Sequence, residues 1–160
     1  MRLPPRGDGL PMVGIMKQLL YVSHTQHALN QWELNGILSV SRWNNARAQI
    51  TGLLLHLDGG FLQLLEGPPS GIDRAFTRIR VDTRHWHTKI LSEQEAPRLF
   101  PEWTMGFVQP HPADPQTSGL HEIGQLALSD RMSPNTANVA LAMLRAYYHI
   151  QADAGFTLAA

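Results

Sequence analysis

The stretch WNNARAQITGLLLHLDGGFLQLLEG, residues 43–67, decides the fold. It reads as the end of a helix, a strand over Ile50–Leu57, a tight turn at Asp58-Gly59-Gly60, and a second strand over Phe61–Glu66. An Asp-Gly pair between two apolar runs is a hairpin signal. In the second strand, alternation puts Phe61, Gln63 and Leu65 on one face and Leu62, Leu64 and Glu66 on the other. An amide thus stands between two large apolar residues on a face that should be buried.

The helix that precedes the hairpin repeats this anomaly. Leu34, Ile37, Leu38 and Ser41 recur at helical spacing, and Asn44 and Asn45 continue the stripe one turn further. Left unpaired in an interior, each amide costs about 1–3 kcal/mol. One such residue alone is usually satisfied by backbone or water, and an Asn near a helix end is often a cap. Two amide sites converging on one layer, with Tyr21 available from a third element, point instead to a ligand that is polar and flat or enclosed.

The 160 residues suit one domain with some appended structure. Thirteen Lys and Arg balance thirteen Asp and Glu, which argues against a nucleic-acid or polyanion binder. The chain has no Cys, which removes disulfides, thiolate metal sites and Cys nucleophiles together. No apolar run reaches the length of a membrane span and no signal-peptide core is present, so a cytoplasmic location is expected.

Residues 1–15 are rich in Pro and Gly without periodicity and read as a disordered tail, with the natural start placed at Met16. Gln18–Ser23 is the first strand, with Leu19, Tyr21 and Ser23 on one face. The first helix runs over Leu29–Ala48, starting near Asn30. Ser70–Arg80 is the second helix, with Ser70 as N-cap and Ile72, Phe76 and Ile79 as its buried stripe. Lys89–Glu93 and Glu102–Val108 are the fourth and fifth strands, the last with Trp103, Met105 and Phe107 on one face. The order βαββαββ predicts an α+β, ferredoxin-like fold: a mixed five-stranded sheet with two helices on one face. Residues 109–160 read as a Pro-rich linker and two further helices, Gly119–Leu128 and Pro134–Gln151, the second capped by Ser133.

His24 with His27, and His85 with His87, have short spacings but no third ligand, so no metal site is expected. There is no phosphate-cradling loop, no Gly-x-Ser-x-Gly and no matched carboxylate pair. Glu66, beside Gly67-Pro68, reads as structural. What remains is Tyr21, Ser41, Asn44, Asn45, Gln63, Trp103 and Met105.

At these residues the sequence resembles the BLUF family, flavin-binding domains that sense blue light. The resemblance spans residues 16–108 and rests on LLYVS, NNARAQITGLLL, FLQLLEG, RVDTRH and FPEWTMGF in that order. It implies FAD, with the isoalloxazine ring between the two helices and its edge toward the sheet. Asn45 and Asn44 would pair with the pyrimidine edge, and Gln63 with N5 and with the Tyr21 hydroxyl. Ile37 and Ile79 would pack on the two ring faces, with Ser41 alongside. Arg78, Asp82, Arg84 and His85 match positions at the ring edge or near the ribityl and phosphate groups. Trp103 and Met105 match residues that exchange exposure when the signal is made.

The activity implied is photoreception rather than catalysis. Tyr21 donates an electron and a proton to the excited flavin, and after recombination Gln63 is left in a rearranged amide state. The signal then leaves through the fifth strand and the C-terminal helices to an effector protein or through a homo-oligomer, with no nucleic acid and no membrane involved. Two rival readings are a small acyl-phosphate hydrolase and an RNA-binding sheet. The first lacks a phosphate loop, and the second lacks a basic face.

Overall fold

The hairpin of residues 51–67 lies inside the sheet, with a strand on either side of it. The computed structural model describes residues 16–154. Strand β1 spans Met16–Thr25, helix α1 Gln31–Ala48, β2 Thr51–Leu57, β3 Gly60–Gly67, α2 Pro69–Arg80 and β4 His85–Ala96. Strand β5 spans Gly106–Val108, α3 Ser118–Leu128 and α4 Pro134–Asp153. The expected tail over residues 1–15 lies outside the described residues.

Strands β2 and β3 pair antiparallel with Leu57 opposite Gly60, and Gly59 closes the turn at φ +96°, a conformation that favours glycine. Strand β1 pairs antiparallel with the other edge of β3, setting Tyr21 opposite Gln63. Strand β4 lies antiparallel beside β1, and β5 runs parallel to β2. The order β4-β1-β3-β2-β5 is the expected mixed, ferredoxin-like sheet.

Each face of the sheet carries its own core. On the front, Leu19, Tyr21, Leu54, Phe61 and Leu65 meet Leu34 and Leu38 of α1 and Ile72 and Ala75 of α2. On the back, Leu20, Val22, Leu53, Leu55, Leu62 and Leu64 meet Ile123 and Ala127 of α3 and Leu141, Leu144 and Tyr148 of α4. Burying one such aliphatic side chain is worth about 1.5–3 kcal/mol. Covering both faces explains why β2 and β3 are apolar on both sides.

Helix α1 starts where Asn30 forms a capping box with Glu33: Asn30 Oδ1 accepts from Glu33 N and Glu33 Oε2 from Asn30 N, each at 2.9 Å. Helix α4 starts at Ser133, whose Oγ accepts from Thr136 N at 3.2 Å, with Pro134 in the first turn.

Three expectations are corrected. Helix α2 begins at Pro69 behind Pro68, so Ser70 lies inside the first turn rather than capping it. Strand β4 runs from His85 to Ala96, well beyond Lys89–Glu93, because its pairing with β1 continues through residues too polar to read as a strand. Strand β5 is only Gly106–Val108, which leaves Trp103 and Met105 in the connection before it. Trp103 joins the back core and Met105 the front core, so the two do not share a face.

Candidate functional site

A cavity opens on the front of the sheet between α1 and α2, with about 170 Å³ enclosed. The sheet supplies Tyr21 and Gln63; α1 supplies Ile37, Ser41, Asn44 and Asn45. Helix α2 supplies Arg78 and Ile79, and the turn after it Asp82, Arg84 and His85. All eleven residues expected around the ligand therefore line one cavity. Trp103 and Met105 do not line it. Ser23 does, and strand alternation from Tyr21 was signal enough to have found it. Val40, Leu54, Phe61, Leu65 and Ala75 complete the wall as ordinary core positions.

The innermost polar groups form a relay. The Tyr21 hydroxyl donates to Gln63 Oε1, and Gln63 Nε2 donates to Met105 Sδ at 3.3 Å. Cross-strand pairing of Tyr21 with Gln63 brings the first two together. All three residues are buried. Burial pushes the Tyr21 phenol far above its ordinary range, with the Asp82 charge adding to the effect. The relay therefore contains a neutral phenol, an amide with one donor and one acceptor end, and a soft sulfur acceptor.

Helix α1 also grips the connection that leads into β5. Asn45 Nδ2 donates to the Thr104 carbonyl at 2.8 Å, and Arg42 Nε to the Met105 carbonyl at 3.1 Å. Asn45 is buried and lines the cavity, and its Oδ1 accepts no hydrogen bond among the described residues. Asn44 is half-buried and its side chain has no hydrogen bond among the described residues. On the other side of the sheet, Gly52 N donates to the Trp103 carbonyl at 2.9 Å. The Trp103 ring lies 4.8 Å from Tyr148 and 5.9 Å from Phe100, centroid to centroid.

The cavity suits a flat heterocycle with alternating donors and acceptors. Ser23 Oγ and His85 Nδ1 are buried with no partner among the described residues, a state that a bound polar group would relieve. Burial holds His85 below the ordinary histidine range, with Asp82 opposing, so a neutral ring is available as donor or acceptor. At the mouth, Arg84 Nε donates to Asp82 Oδ1 at 3.0 Å, and that contact holds the Asp82 carboxyl below its usual range. Among the described residues no cluster of three or more His, Asp or Glu could hold a metal ion.

Comparison with known proteins decides the family. The sequence profile described as BLUF, sensors of blue-light using FAD, matches residues 16–106. The chain belongs to the BLUF family. The photoactivated adenylate cyclase subunit beta of Euglena gracilis is 37% identical over 91 residues, covering 54% of this chain and 10% of that subunit. The chain thus spans about a tenth of the length of the curated relatives it matches. BlrB, a BLUF protein solved in its dark state, is 28% identical with a TM-score of 0.66, over 84% of this chain and 96% of that one. BlsA in its photo-activated state is 26% identical with a TM-score of 0.68, over 81% and 94%. A bacterial light-regulated adenylyl cyclase is 32% identical with a TM-score of 0.65, over 72% of this chain and 34% of that one.

The BLUF module is a sensor, not an enzyme, and FAD is the cofactor by which its family is defined. In these relatives it occurs in proteins named as cyclases as well as in short chains. No helix among the described residues is long and apolar enough to cross a membrane.

Proposed function

We propose that this chain is a cytoplasmic blue-light photoreceptor that holds FAD in the cavity between α1 and α2. Bound FAD supplies a blue-absorbing ring that oxidises a neighbouring phenol once excited. The observation that carries the reading is the buried relay from Tyr21 through Gln63 to Met105.

The residues divide the work by position. Asn45 Oδ1 and the unpaired Asn44 amide face the cavity from α1 and would bind the donor and acceptor atoms of the ring edge. Ile37 and Ile79 come from opposite helices and would clasp the ring faces, with Ser41 beside it. Arg78, Asp82, Arg84 and His85 would hold the ribityl and phosphate groups.

Tyr21 is the electron and proton donor, and Gln63 Oε1 already accepts its hydroxyl proton. Turning the Gln63 amide over would exchange its donor and acceptor ends. The bond from Nε2 to Met105 Sδ would then be lost, since sulfur donates nothing. Met105 and Thr104 are tied to α1, and Trp103 to α4, so this break reaches both sides of the sheet. We place the sensor in residues 16–108 and the output in residues 109–160. On α4 Val139 and Ile150 are about half exposed, at 52% and 55%. That stripe is the contact for an effector protein or a second copy. The test is a visible spectrum: the purified full chain should be yellow, and blue light should shift its absorption reversibly to the red. A colourless protein, or one unchanged by light, would overturn the reading.

A further inference from the structure

The back of the sheet carries a second opening that the photochemistry does not use. A cleft of about 700 Å³ lies between α4 and the connection from β4 to β5. Its apolar wall comes from Leu99 of the connection and Leu141 of α4. Tyr148 lies between them, 7% exposed, with a hydroxyl that has no hydrogen-bond partner among the described residues. The ring is buried while the hydroxyl is left free to donate to an acceptor on a ligand.

The rim is weighted toward positive charge. Arg145 and His149, four residues apart on one face of α4, form no ion pair or side-chain hydrogen bond among the described residues. Across from them the Arg98 guanidinium is bound only to neutral oxygens: Thr51 Oγ1 at 2.8 Å and the carbonyls of Glu66 and Gln49 at 3.1 and 2.5 Å. Glu102 is the one acidic residue in the lining, and it opposes a second negative charge on a ligand. An apolar wall, a free phenol and two free basic groups are the usual parts of a small-ligand pocket.

We propose that this cleft binds a small organic monoanion with an apolar body, such as an arylalkyl carboxylate, and that occupancy is felt at Trp103. The carboxylate meets Arg145 and His149, and the body covers Leu99 and Leu141. A ligand atom accepts from the Tyr148 hydroxyl. The Tyr148 ring meets Trp103 edge-on at 4.8 Å, so the ligand and the output connection share one side chain. The site is separate from the flavin cavity, and the proposal stands or falls without the photocycle.

The test uses the flavin-loaded full chain kept in the dark. Phenylacetate is titrated to millimolar levels while the Trp103 indole N–H is followed by NMR, assigned by its loss in Trp103→Phe. A saturable shift is expected, and inorganic phosphate in a parallel titration should give none. Arg145→Gln, an exposed and structurally safe change, should weaken phenylacetate binding about tenfold. Tyr148→Phe, which keeps the ring on Trp103, should weaken it several-fold, and neither variant should alter the flavin spectrum. The proposal is overturned by a shift that does not saturate, or by phosphate matching phenylacetate. It is equally overturned if both variants leave the affinity within about twofold of the parent.

Discussion

Met105 and Trp103 stand two residues apart and face opposite sides of the sheet. Met105 Sδ accepts from Gln63 Nε2 at 3.3 Å on the front, while Trp103 packs on Tyr148 at 4.8 Å on the back. An extended strand would put residues i and i+2 on the same face. The connection escapes that rule because regular strand begins only at Gly106. Its carbonyls go instead to Gly52, Asn45 and Arg42. Gly106 permits the crossing: a Cβ there would stand 2.5 Å from Trp103 Cε3.

Separating the two sides should separate photochemistry from stability. Tyr148→Ala removes a buried ring beside Trp103 and Phe100 and should cost about 3–5 kcal/mol. It leaves Tyr21 and Gln63 untouched on the other face. A lower urea midpoint with a full-sized red shift in the folded protein is the expected pair of results. Loss of the red shift while the protein remains folded would mean that the faces are not separable.

The two asparagines should behave differently although they are neighbours. Asn45→Ala removes a bond to the Thr104 carbonyl as well as a ring contact, so both FAD affinity and apoprotein stability should fall, the latter by about 1–3 kcal/mol. Asn44 has no side-chain partner among the described residues, so Asn44→Ala should weaken FAD alone. Paired flavin-binding and denaturation curves check this. Equal stability loss in both variants would contradict the assignment.

The site was legible in the sequence where burial and polarity conflict. Gln63 between Phe61 and Leu65, and Asn45 on the Leu34–Leu38 stripe, are both buried facing the front core. Alternation also identified the Tyr21 face of β1. The crossing at 103–105 was not legible, because Trp103, Met105 and Phe107 alternate as a strand would. Only the tertiary bonds from α1 and β2 reveal otherwise. Strand β4 extends past the expected Lys89–Glu93 for a related reason: Gln94 and Glu95 are polar, yet they pair with β1.

Glu66 read as structural, and its geometry supports a strong effect on replacement. Fully buried, its carboxylate accepts from Leu99 N at 2.7 Å and Phe100 N at 2.6 Å. It also accepts from Thr51 Oγ1 at 3.0 Å and Gln18 Nε2 at 3.3 Å. Glu66→Gln keeps the shape but turns an NH₂ toward these donors, which should cost about 1–3 kcal/mol. The urea midpoint reads this directly, and a midpoint equal to that of the parent would deny the carboxylate its anchoring role.

Tyr21 should also mark the alkaline limit of stability. Its folded-state pKa is raised by burial above the ordinary 10.0. The stability it contributes is therefore fully present below that value and is lost as pH rises above it, by about 1.4 kcal/mol per pH unit. Tyr21→Phe cannot show this loss. Urea midpoints measured on either side of pH 10.0 should fall more steeply in the parent than in Tyr21→Phe, and parallel slopes would mean that the phenol titrates normally.

The central claim is that the Gln63 amide is the switching element between Tyr21 and Met105. Gln63→Leu keeps the volume and removes the amide alone. The decisive measurement is the light-minus-dark visible difference spectrum of flavin-loaded Gln63→Leu beside the parent chain. The account predicts a yellow protein with no reversible red shift, whereas a red shift of parental size and reversibility would contradict it.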